Sequence, residues 1–154
     1  MRQTQLPDRT IPLLAAAIIA TSCIYDKPAG DEFYRTLWKS DETSTGITDV
    51  SSLTLEFLCN EVISITAATG STGYGTANRR TIYGTYACDD MAATFQNLTL
   101  HLPSTDTSGP SGDNTITFIE AHRNGDTLLL IWCCEDNPQT RFTTTMHRLN
   151  DYGN

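Results

Sequence analysis

Residues 53–67 read LTLEFLCNEVISITA. Leu53, Leu55 and Phe57 alternate with Thr54 and Glu56, and Ile63 and Ile65 alternate with Ser64 and Thr66. A period of two sends successive side chains to opposite faces, so each run is a strand with one apolar and one polar face. Asn60-Glu61 joins the two runs. A two-residue link of this kind makes an antiparallel hairpin.

The pattern continues on both sides of this hairpin. Strands are predicted at about 36–42, 53–59, 62–67, 80–88, 94–102, 115–121, 127–134 and 141–149. From Phe33 onward no window keeps apolar residues at helical spacing, so no helix is expected. The connections alternate in length. Short links fall at Asn60-Glu61, around Asp89-Asp90 and through Asn124-Gly125. Long links rich in Gly, Ser, Thr and Pro fall at about 43–52, 68–79 and 103–114, and an intermediate one at 135–139 holds Pro138. In an up-and-down meander, alternate connections lie at the same end, so the short turns gather at one end and the long loops at the other. An even number of antiparallel strands lets the first and last pair, which removes the exposed edges. The expected fold is all-β: an eight-stranded, antiparallel, up-and-down β-barrel, shut at the turn end and open at the loop end.

A barrel of eight strands is filled by side chains or holds one small ligand. Both readings stay open on the sequence, and the second, a bound ligand, is the function expected, with the first as its alternative. In the first, the inward faces fill the interior and the chain acts through its long loops as a structural or protein-interaction module. In the second, a pocket opens among Leu53, Ile65, Leu102, Ile116, Trp132 and Phe142, which would hold a small apolar or amphipathic ligand. The strand at 127–134 is apolar on both faces. Its outer residues Leu129 and Ile131 are expected to be covered by Phe33 and Tyr34 or by a partner.

Upstream of the strands, Ile11–Cys23 reads IPLLAAAIIATSC, after Arg2 and Arg9. The apolar run is shorter than the roughly 20 residues that span a bilayer and has the length of an export signal's apolar core. The segment resembles the lipobox of bacterial lipoproteins. That resemblance implies removal of residues 1–22, a lipid on Cys23 and a place in the bacterial cell envelope, at the outer membrane. Residues 23–32 then form a flexible tether, 33–149 the barrel and 150–154 a tail.

Trp38 begins the first strand and Arg148 ends the last. With the lipobox, Gly84-Thr85-Tyr86 and the terminal His147–Leu149, this layout resembles lipocalin-like small bacterial lipoproteins. The resemblance implies that Trp38 packs under Arg148 as a plug of the closed end.

The chain of 154 residues carries a formal charge of −8, which argues against nucleic acid as a partner. His101, His122 and His147 are scattered, and no phosphate loop, paired-carboxylate motif or nucleophile elbow appears. No catalytic residue, metal or cofactor is assigned. Cys133 and Cys134 are neighbours on one strand and face opposite ways. Cys59 and Cys88 end strands at the turn end and are candidates for a bridge, although strands two apart stand about 9.5 Å from each other. Arg79-Arg80 is a small basic spot in a long loop, able to meet an anionic head group.

Overall fold

The computed structural model describes residues 31–41, 45–70, 78–102 and 114–149. The expected signal segment with Cys23, most of the expected tether, the expected tail and much of each long loop lie outside the described residues.

Every described element is extended: β1 (Leu37–Ser40), β2 (Val50–Phe57), β3 (Val62–Thr69), β4 (Asn78–Asp89), β5 (Ala92–Gln96), β6 (Thr99–Leu102), β7 (Asn114–Asn124), β8 (Thr127–Cys134) and β9 (Asn137–Leu149). Neighbours in the chain pair antiparallel from β1 to β5 and from β6 to β9. The ring closes at two places. β1 pairs with β9, and β5 pairs with β7. β5 and β6 are the two halves of one expected strand, so the result is a closed barrel of eight strands.

That strand breaks for a local reason. Asn97, between the halves, has φ 59°, a left-handed conformation that Asn tolerates better than most residues. Gly84 of β4 lies under the bend. A Cβ there would meet the Gln96 carbonyl oxygen at 2.6 Å and Leu98 at 3.1 Å, so the close crossing needs glycine. Below the bend β5 bridges β4 and β7; above it β6 pairs with β7 alone.

The turn end follows the expected chemistry. Asn60 and Glu61 have φ 60° and 59°, as the right-twisted strands of a two-residue hairpin require, and Gly125 has φ 62°. The β8–β9 link differs from expectation. It is only Glu135-Asp136, and Pro138 lies inside β9, so a tight turn stands among the long loops.

Polarity runs from inside to outside. Leu53, Leu55, Phe57, Ile63, Ile65, Leu100, Leu128, Leu130 and Met146 are 0% exposed. Thr54, Glu56, Thr66, Thr85, Thr143 and Thr145 line the outer face. A membrane-spanning barrel has the opposite arrangement, apolar outside and polar within.

Candidate functional site

At the turn end the chain stops itself. Asp31 and Glu32, which composition placed in the tether, belong to the folded body. Asp31 is buried and its carboxylate accepts the Phe33 amide at 2.9 Å and the Tyr86 hydroxyl at 2.7 Å. This is an Asx-type turn, available to any Asp two residues before a chain reversal. It swings Phe33 into the barrel, against Phe57 at 4.8 Å between ring centroids, with Tyr86 edge-on to Phe57 at 4.9 Å. Phe33 therefore cannot cover the outer face of β8. The expectation that it does is corrected by its burial: inside, it packs on the Phe57 ring, which gains more than a wet outer wall offers. Leu129 on that wall is 38% exposed.

Trp38 is buried beside this floor and its indole N–H donates to Thr36 Oγ1 at 2.9 Å. Arg148 stands directly opposite Trp38 across the β1–β9 pair. A second arginine, not singled out by sequence, reaches the indole. The Arg123 guanidinium lies 5.8 Å from the ring centroid. It donates to the Glu32 carbonyl at 2.6 Å and pairs with the Glu32 carboxylate at 3.5 Å. Nothing in the local sequence of β7 marks Arg123, because its partners come from 91 residues away.

Burial, and then donation to Asp31, hold the Tyr86 hydroxyl proton well above the ordinary tyrosine range. Burial first, and the Asp31 carboxylate second, push the Cys88 thiol up. A raised thiol pKa leaves less of the nucleophilic thiolate, and the bonds of Asp31 to Phe33 and Tyr86 fasten the chain end to the barrel. Cys88, Cys133 and Cys134 are thiols, whereas Cys59 sits in a disulfide. The Cys59–Cys88 bridge considered from sequence is therefore absent, as the separation of alternate strands argued.

At the loop end, the six residues assigned to a ligand rim are not alike. Leu53, Ile65, Leu102, Ile116 and Trp132 are all buried in the core cluster. Phe142 is 39% exposed and stacks on Trp132 at 4.7 Å. The β1–β2 loop folds over this corner. The Trp132 indole donates to Thr144 Oγ1 at 3.0 Å, the Thr144 hydroxyl donates to the Thr45 carbonyl, and the Thr45 hydroxyl donates to the Val50 carbonyl at 2.8 Å. Ile47 is buried beside it, and a Cβ on Gly46 would already touch the Trp132 ring at 3.4 Å. Thr144 and Thr45 were not singled out from sequence as a pair, because 99 residues separate them along the chain.

Arg80 is the one cation on the inner parity of β4. It stands opposite Ala67, whose side chain is buried, and its guanidinium donates to the His101 carbonyl on β6. Arg79 and Arg80 thus begin a strand rather than lying in a loop. Among the described residues, no three His, Cys, Asp or Glu side chains converge as a metal site needs.

No family model matches the chain, and no curated protein or solved structure matches it either. The functional reading rests on the geometry.

Proposed function

We propose that this chain is an envelope-anchored lipoprotein whose barrel is filled by its own side chains and serves as a rigid platform for contact with another protein. One observation carries the choice of a filled barrel over a pocket. Leu53, Leu55, Phe57, Ile63, Ile65, Leu100, Leu128, Leu130 and Met146 on the inner faces are 0% exposed, so none of these has room for a water molecule against it. A ligand pocket needs apolar walls facing open space. Four of the expected rim residues, Leu53, Ile65, Leu102 and Ile116, belong to the buried core. The tied β1–β2 loop at Trp132 favours the same reading.

The anchor rests on the lipobox-like run ending in Cys23, and the polar outer wall suits a body held off the membrane rather than in it. Its chemistry makes a demand on Cys59. Cys23 is the only cysteine outside the described residues, and a thiol bonded to lipid is not available for a disulfide. The lipidated chain would therefore carry Cys59 as a thiol. Mass spectrometry of protein purified from its own membranes tests this. Acylated Cys23 with alkylatable Cys59 supports the anchor; a Cys23–Cys59 disulfide peptide overturns it. Titration with N-phenyl-1-naphthylamine tests the filled interior. Stoichiometric, saturable binding would restore the pocket, with Phe142 and Trp132 at its mouth and a small apolar ligand inside.

A further inference from the structure

The wall of the barrel has a seam. β4 pairs with β3 over Asn78–Thr85, but with β5 only over Thr85–Asp89. β6 pairs only with β7. Above Gly84, therefore, β4 and β6 face each other with no ladder between them. The Asn97 bend carries β6 away, and the Arg80 side chain crosses the space to the His101 carbonyl.

The hydrogen bonds tell which backbone groups point into the seam. The Tyr86 N–H donates to the Glu61 carbonyl, toward β3, while the Ala87 carbonyl accepts from Thr94 on the β5 side. Backbone groups alternate sides along a strand. Arg79, Thr81 and Tyr83 thus direct their N–H and C=O groups into the seam. On the other bank, the Leu98 carbonyl faces β7, so Thr99 and His101 face the seam. The Arg80 bond to His101 agrees with that parity.

We propose that this seam takes an extended, acidic segment of a partner polypeptide, which adds as a strand to the free edge of β4. The proposal deepens the platform reading, since it names where the partner docks and its chemistry. Three observations meet here. An unpaired edge is a template for another strand. The chain's formal charge is −8, yet Arg79 and Arg80 stand together on this edge, and among the described residues no carboxylate is ion-paired to either. Tyr83, on the outer face of the same edge, is 65% exposed and offers its ring to a neighbouring side chain. A second copy of this barrel fits worse. It would bring its own Arg79 and Arg80 to like charges and its bulk against β6, whereas a lone segment is one strand thick.

Amide hydrogen exchange, followed residue by residue, tests this with an eight-residue peptide alternating Glu with Val and a control with Lys in place of Glu. In the free protein the Thr81 and Tyr83 amides should exchange fast, while those of Ile82 and Ala87 are protected. The Glu peptide should slow Thr81 and Tyr83 at least tenfold; the Lys peptide should not. Arg80→Glu should abolish that protection. Thr81→Pro, which removes an edge N–H that β3 does not use, should fold normally and bind at least tenfold more weakly. Protected Thr81 and Tyr83 amides in the free protein, or no slowing by the Glu peptide, would overturn the proposal. Neither result depends on naphthylamine binding, so failure of the seam and failure of the filled interior are told apart.

Discussion

Replacing Trp38 by alanine should cost this barrel about 4 kcal/mol. The side chain is 0% exposed, and truncating a buried Trp or Phe typically costs about 3–5 kcal/mol. Two specific contacts go with it: the indole donation to Thr36 and the face presented to Arg123 at 5.8 Å. Thr36 keeps its bond to the Phe33 carbonyl, so no hydroxyl is orphaned and the figure stays inside that range. Small domains have about 5–15 kcal/mol in all, so the variant folds but marginally. At roughly 2–4 °C per kcal/mol for a chain of this length, melting should fall by about 8–16 °C. Urea unfolding, followed by circular dichroism and by the remaining Trp132 fluorescence, measures the loss. Arg123→Met should cost about 1–2 kcal/mol on its own, from the guanidinium bonds to Glu32 and Gly125 and its place over the ring. The double variant decides the stacking. A coupling of about 0.5–2 kcal/mol is expected from a cation over an indole. A Trp38→Ala loss below about 1 kcal/mol would refute the closed-end plug, and zero coupling would refute the Arg123 contact even with a large loss.

Gly84→Ala should destabilise by about 1–3 kcal/mol, because its Cβ meets a backbone oxygen that cannot rotate away; Gly125→Ala, with open space but φ 62°, should cost about 1 kcal/mol, and equal unfolding midpoints for Gly84→Ala and the native chain would contradict the tight crossing. The Tyr86 pKa is raised on folding, so the native state holds that proton more tightly than the unfolded chain; its stabilisation is whole below pH about 10 and is lost as pH rises beyond it, a limb that Tyr86→Phe should flatten in a series of urea melts. Asp31→Ala strands the buried Tyr86 hydroxyl and the Phe33 amide, so a loss of about 2–4 kcal/mol is expected, with the Phe33 end exchanging its amides faster than the barrel. Cys23→Ser should move the protein from the membrane pellet to the soluble fraction, and continued pelleting would argue against acylation.

Period-two alternation and the spacing of turns determined the class, the number of strands, their order and the pairing of first with last. These are local signals: each strand shows its faces and each hairpin its turn residues within a few positions. The Trp38–Arg148 pair was implied only by the lipocalin-like resemblance, and the β1–β9 register sets the two opposite each other. What the sequence could not state was decided by contacts between distant segments. Asp31 looks like tether until Tyr86, 55 residues on, supplies the hydroxyl it accepts. Arg123 looks like a surface cation until Glu32 and Trp38 come beneath it. The split at Asn97 and the seam above it depend on Gly84 lying under Leu98, which no stretch of chain contains by itself. Whether the interior was full or hollow was also beyond periodicity, because a pattern records which side chains turn inward and not how much space they leave.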